Sequence, residues 1–211
     1  MKIPRLVVAG VSSGSGKTTV TTGLIGALKN KGYKVKPFKI GPDYIDTGYL
    51  SAVSGEDALN LDLWLMGREN ILPSFVNNAA GSDIAVIEGV MGLFDGGDCS
   101  TAEVSKHLKA PVLLCINSEK IGESVSAIAK GFTEFDPEVN IIGVILTKVS
   151  GRGHYNLLKK SIEDFTQIPV CGYLLKDNDL IIKERHLGLV TVHEENLIDK
   201  FVNSAAAQGI N

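Results

Sequence analysis

The sequence predicts an α/β fold in which helices sandwich a parallel β-sheet, and three observations carry that prediction. Short apolar runs bounded by turn residues alternate with longer stretches of helical period, the pattern of parallel strands joined by crossover helices. The runs are near-continuous Val, Ile and Leu without polar alternation, as a sheet buried on both faces requires. A glycine-rich segment, residues 10–16, separates the first run from a helical pattern. The chain has 211 residues, 44% of them hydrophobic, which suits one core and one domain over residues 1–211.

Taken in order, the first strand is expected at residues 6–9, followed by the glycine-rich loop and a helix from 17 to about 30, in which Leu24, Ile25 and Leu28 share a side. The second strand is expected at 34–38. Lys29, Lys31, Lys34 and Lys36 around that junction read as a solvated helix end, where positive charge complements the helix dipole, and strand start. A helix at 69–80 then leads to a strand at 84–87, a helix at 101–108 to one at 112–116, a helix at 122–135 to one at 141–146, and a helix at 154–165 to one at 170–174. A last helical pattern covers 194 to about 206 and ends in a fraying tail. No internal repeat, low-complexity tract or linker divides the chain.

A net charge of −3 supplies no general attraction to nucleic acid or to an anionic membrane, so neither is expected as a partner. No apolar run reaches the roughly 20 residues a spanning helix needs, and the chain enters its first strand without a cleavable signal pattern, so a cytoplasmic protein is expected. Cys99, Cys115 and Cys171 are widely spaced with no C-x-x-C pair, which argues against a zinc site or a disulfide framework. Cys115 and Cys171, set in apolar runs, read as small buried thiols, and Cys99 as an incidental thiol in a glycine-rich loop.

Chemistry enters at Gly10-Val11-Ser12-Ser13-Gly14-Ser15-Gly16-Lys17-Thr18-Thr19, which has the strand, loop and helix context of a phosphate-binding loop. Backbone amides of Ser13, Gly14, Ser15 and Gly16 would turn inward around phosphate oxygens, aided by the helix amino terminus. Lys17 would bridge the terminal phosphates of ATP and Thr18 would direct its hydroxyl to Mg2+, with Thr19 a weaker neighbour. Five residues separate Gly10 from Gly16, one more than the usual pattern. Longer loops of this kind occur in the branch that holds dethiobiotin synthetase, MinD and ParA relatives, so the fold class sharpens to a parallel-sheet P-loop NTPase sandwich that is dethiobiotin-synthetase-like.

Two acidic motifs follow strands and so sit at the carboxyl edge of the sheet, where open parallel sheets bind ligands. In Lys39-Ile40-Gly41-Pro42-Asp43-Tyr44-Ile45-Asp46, the carboxylates of Asp43 and Asp46 are three apart on a loop stiffened by Pro42. They can serve a magnesium shell or the substrate, although a surface turn uses the same residue types. In Glu88-Gly89-Val90-Met91-Gly92-Leu93-Phe94-Asp95-Gly96, Glu88 directly follows an apolar strand, where P-loop proteins place a magnesium-directing acid. Asp95 is a further candidate, although Asp-Gly-Gly also makes an ordinary turn.

Together with Glu184-Arg185-His186-Leu187-Gly188-Leu189, Asn60-Leu61-Asp62 and Phe135-Asp136-Pro137, these motifs resemble the synthetase domain of the cobyrinic acid a,c-diamide synthases over nearly the whole chain. A close sister family forms the same two amides on nickel-sirohydrochlorin, and the motifs do not separate the two. The resemblance implies ATP-dependent amidation of the a and c side-chain carboxylates of a corrinoid or tetrapyrrole acid through acyl phosphates. It implies catalytic roles for Lys17, Lys39, Asp43, Glu88 and Asp95, metal contacts from Thr18, Asp46 and Glu88, and substrate contacts from Tyr44, Asp46, Arg185 and His186. An ion pair with Glu184 is the structural alternative for Arg185 and His186. Lys39 matches a second lysine near the phosphates in dethiobiotin synthetase, which performs the same carboxyl phosphorylation.

The family commonly places Asn before the basic residue after the fifth core strand, as part of adenine recognition, whereas this sequence has Ile145-Leu146-Thr147-Lys148. Full-length members append a glutaminase domain whose cysteine sits in a glycine-flanked elbow, and none is found here, so ammonia is expected from a separate glutaminase domain or from free ammonia. A homodimer is expected by the resemblance alone. The rivals are a MinD/ParA-like regulatory ATPase, a stand-alone dethiobiotin-synthetase-type enzyme and a cobyric acid synthase. The first usually carries an extra lysine early in the phosphate loop, where Gly10-Val11-Ser12 has none.

Overall fold

The computed structural model describes residues 3–176. Strands β1 (Arg5–Gly10), β2 (Val35–Ile40), β3 (Leu59–Leu61), β4 (Ile84–Glu88), β5 (Val112–Asn117), β6 (Ile141–Val149) and β7 (Val170–Leu175) pair in parallel. Among the described residues they form one seven-stranded sheet in the order β3-β2-β4-β1-β5-β6-β7. Helices α1 (Lys17–Asn30), α2 (Ile45–Ser54), α3 (Leu63–Met66), α4 (Arg68–Ala79), α5 (Thr101–Leu108), α6 (Val125–Phe135) and α7 (Arg152–Thr166) connect them.

Strand residues alternate between two apolar layers, as the two-residue period of a strand dictates. Val8 and Val86 face a layer completed by Val20 and Ile25 of α1 and Leu50 and Val53 of α2. Val7, Ala9, Ala85 and Ile87 face the other layer, with Ile71 and Phe75 of α4, Val104 of α5, Val125 of α6 and Leu158 of α7. In that second layer Phe38 and Phe75 lie 5.2 Å apart between ring centroids. Central strands are therefore apolar on both faces, which is why they read as continuous runs.

Three elements and one thiol depart from the sequence expectations. β3 is three residues long and α3 four, too short for a period to register. Asp43 and Asp46 do not sit on an extended loop: Asp46 lies in the first turn of α2 and Asp43 just before it, in a helix masked in sequence by the Gly-Pro-Asp turn and by Gly48. Cys115 is buried as expected, but Cys171 is exposed, because its edge strand β7 buries only alternate positions. Cys99 is half-buried.

Candidate functional site

At the carboxyl end of β1 the chain must turn sharply to begin α1. Gly16 takes a left-handed φ of 83° at the helix start, and a Cβ there would stand 3.0 Å from the Thr147 methyl. Ser15 is buried and closes the loop on itself: its Oγ donates to the Ser12 carbonyl at 2.8 Å and accepts from the Ser12 amide at 3.0 Å. Thr147 Oγ1, at the end of β6, donates to the Ser15 carbonyl at 2.9 Å and braces the loop from outside. Gly14 also has a positive φ, and Ser13 and Gly14 are exposed, so the loop rim faces solvent.

Lys17 is buried, and its Nζ donates to the carbonyls of Met91 at 2.6 Å and Ser12 at 3.1 Å. Burial, followed by repulsion from Lys39, holds its pKa below the ordinary lysine value. Thr18 Oγ1 donates to Glu88 Oε1 at 2.7 Å, and Thr19 follows half-buried in the first turn of α1.

Lys39 and Glu88 end neighbouring strands and are register partners. Lys39 Nζ lies 2.8 Å from Glu88 Oε1, 2.7 Å from Asp46 Oδ2 and 3.1 Å from the Gly89 carbonyl. Burial acts to lower the Lys39 pKa, but Glu88 and Asp46 outweigh it and the pKa is raised. Glu88 is fully buried; desolvation raises its pKa against the pull of Lys39. Its second oxygen, Oε2, has no hydrogen-bond partner among the described residues. A buried carboxylate oxygen left open beside a hydroxyl suits a hard divalent cation that completes its shell with phosphate oxygens and water. Among the described residues there is no cluster of three or more His, Cys, Asp or Glu that would hold a metal unaided.

Asp43 Oδ1 accepts from the amides of Ile45 at 2.9 Å and Asp46 at 3.0 Å, so it starts α2 and sets the position from which Asp46 reaches Lys39. Asp95 is exposed and its Oδ2 accepts from the Gly92 amide at 2.8 Å, closing the turn after β4. The structure thus brings Lys17, Thr18, Lys39, Asp46 and Glu88 together and places Asp43 and Asp95 as shapers of the flanking loops. Tyr44 is exposed beside them. Arg185 and His186 lie outside the described residues, as do Glu184 and the helix expected from 194.

Two contributors escaped the sequence reading. The Met91 carbonyl holds Lys17, and a backbone acceptor leaves no mark in residue type. Asn60 Nδ2 donates to the carbonyls of Gly41 at 2.6 Å and Asp43 at 2.9 Å, tying the acidic loop to β3. Its signal was its place in the Asn60-Leu61-Asp62 match, which carried no role. No helix among the described residues is long and apolar enough to cross a membrane.

The sequence matches the family model described as the CobQ/CobB/MinD/ParA nucleotide binding domain over residues 6–190. It is 45% identical over 213 residues to a cobyrinate a,c-diamide synthase of Dehalococcoides mccartyi strain CBDB1, covering 99% of this chain and 46% of that protein. A protein of the same name from Thermoplasma volcanium is 45% identical over 206 residues, covering 96% of this chain and 45% of that one. The chain spans about half the length of the curated relatives it matches. Among solved structures, the signal recognition particle receptor FtsY of Elizabethkingia anophelis superposes with a TM-score of 0.62 at 20% identity, covering 97% of this chain and 65% of that one. Chloroplast FtsY of Physcomitrella patens gives 0.61 at 22% identity, covering 82% and 59%. At that identity the likeness concerns the fold alone.

Proposed function

Because the chain belongs to the CobQ/CobB/MinD/ParA nucleotide-binding domain family, we propose that it uses ATP to activate the a and c side-chain carboxylates of cobyrinic acid for amide formation. The observation that carries this reading is the buried Lys39, held between Glu88 and Asp46 beside the Lys17-Thr18 end of the phosphate loop. A switch ATPase needs charge compensation for one nucleotide. A carboxyl kinase must also bring a second anion, the acceptor carboxylate, to the terminal phosphate, and a second buried lysine on the far side of Glu88 serves that need. The names of the relatives supply the acceptor's class.

A carboxylate does not exchange oxide for ammonia, so its oxygen is first made a leaving group. The acceptor carboxylate oxygen attacks the γ-phosphorus, the bond to the β–γ bridging oxygen breaks, and ADP leaves with that electron pair. Ammonia then adds to the acyl carbon of the mixed anhydride, loses a proton and expels phosphate, leaving the amide. Lys17 neutralises the terminal phosphates and Lys39 the oxygens shared between acceptor and phosphoryl group. For Lys17 this means leaving the Met91 and Ser12 carbonyls, which are replaceable backbone acceptors. Thr18 and Glu88 would hold Mg2+, which when bound offsets phosphate charge. Ammonia comes from a glutaminase domain or from solution.

The test is mass spectrometry of cobyrinic acid, and separately of nickel-sirohydrochlorin, after incubation with the chain, ATP, magnesium and an ammonium salt. The expected result is conversion of two carboxyls to carboxamides on cobyrinic acid. Conversion of nickel-sirohydrochlorin alone reassigns the macrocycle. Absence of amide from both, with nucleotide bound, overturns the proposal.

A further inference from the structure

The sheet order divides the carboxyl edge into two sides. The phosphate loop follows β1, and β5, β6 and β7 lie to one side of it, while β4, β2 and β3 lie to the other. Lys39 and Asp46 stand on the β2 side, so an acceptor carboxylate that meets them extends its parent molecule toward β3. At that end, α3 follows β3 directly. Ile40 and Leu61 are register partners and the Gly41 amide donates to the Leu61 carbonyl at 3.1 Å, so the chains leading to Tyr44 and Trp64 leave the sheet at one level.

What α3 presents there is unusual. Leu63 and Met66 pack against the core, while Trp64 and Leu65 are 83% and 70% exposed, and Tyr44 across the edge is 91% exposed. Trp64 is the sole tryptophan of the chain. Asp62 Oδ1 accepts from the amides of Trp64 at 2.8 Å and Leu65 at 2.9 Å, so the turn that holds the indole outward is itself fastened. Asn60 fastens the Tyr44 loop to the same strand. A large apolar ring held in water on a capped turn, at the same carboxyl edge of the sheet as a charged cluster that acts on a carboxylate, is suited to stacking on a flat conjugated substrate.

We infer that Trp64 and Leu65, with Tyr44, form the platform on which the face of the macrocycle rests while one peripheral carboxylate reaches Lys39. The inference rests on the proposed amidation. It makes Trp64 and Leu65 determinants of substrate specificity that hold the macrocycle and take no part in binding ATP.

The experiment measures binding and turnover separately. Binding of cobyrinic acid to the full chain is followed by equilibrium dialysis, using the absorbance of the macrocycle, with magnesium and a non-hydrolysable ATP analogue present. Trp64→Ala is expected to weaken it about tenfold, Leu65→Ser severalfold, and Trp64→Phe to stay close to wild type, with affinity for the ATP analogue unchanged in all three. In turnover with ammonium, KM for the macrocycle should rise in Trp64→Ala while kcat holds. Macrocycle binding by Trp64→Ala and Leu65→Ser equal to wild type overturns the platform, as does an equal loss of ATP-analogue affinity or a changed oligomeric state with unchanged macrocycle binding. Tight, Trp64-dependent macrocycle binding without amide formation would instead overturn the amidation and leave the platform standing.

Discussion

Lys39 and Glu88 are register partners at the ends of β2 and β4, and their side chains meet at 2.8 Å with almost no exposure to solvent. Two charges buried this way are tolerable only as a pair, so the site places strict demands on both residues.

Removing one partner, as in Glu88→Ala, leaves a buried ammonium with Asp46 and the Gly89 carbonyl and should cost about 3–5 kcal/mol of stability. The double variant Lys39→Met/Glu88→Leu removes both charges and should recover most of that loss without recovering turnover. Urea unfolding midpoints and amide yield check the two halves. A double variant that is both stable and active would show the pair to be structural only.

Lys17→Ala should reduce amide formation by about 100- to 1000-fold, the effect of losing one donor aimed at developing charge. The fold should survive, because among the described residues the Lys17 ammonium bonds to the backbone carbonyls of Ser12 and Met91 and to no side chain. Turnover and circular dichroism, measured on the same sample, decide the matter.

Protonation of Lys17 gives a pH signature. Burial and, next, Lys39 lower its pKa from 10.5, so in the free protein it loses its proton at lower pH than an exposed lysine. Phosphate binding needs the charged form and pulls the pKa back up. ATP affinity should therefore fall as pH rises through the window below 10.5, and binding in that window should take up protons. Calorimetry in buffers of different ionisation enthalpy reads the uptake. Lys17→Arg, charged throughout, should abolish it.

Much of the architecture was legible because central strands and long helices repeat their pattern enough times to be read. β3 and α3 were not, since three and four residues contain too little repetition, and α2 was hidden behind Gly41-Pro42-Asp43. At the site, the residue types of Lys17, Thr18, Lys39 and Glu88 announced a phosphate and metal chemistry. Their partners did not, because register sets the Lys39–Glu88 pair and a backbone carbonyl holds Lys17. The local bonds of Asp43, to the amides of Ile45 and Asp46, and of Asp95, to the amide of Gly92, are likewise set by loop conformation, which residue type does not announce.

Asn60 links those loops to the sheet. Asn60→Ala leaves the carbonyls of Gly41 and Asp43 without that donor and should cost about 1–3 kcal/mol. Since Asp46 follows Asp43 into α2, KM for the macrocycle should rise while that for ATP holds. Steady-state kinetics with each substrate varied in turn separates the two.

Thr147 makes the complementary claim on the nucleotide side. Its hydroxyl donates to the Ser15 carbonyl at 2.9 Å, and both residues are buried, so water cannot replace the bond without entering the packing between β6 and the loop. Thr147→Val keeps the volume and leaves that carbonyl without its donor, which should cost about 1–3 kcal/mol. Thr147→Ser keeps the hydroxyl and should bind ATP nearly as wild type does, although it loses the methyl that lies against Gly16. The expected order of ATP affinity is therefore Thr, then Ser, then Val, with KM for the macrocycle unchanged. Equal affinity in Val and wild type would mean that the Ser12–Ser15 bonds alone hold the loop in its phosphate-binding shape.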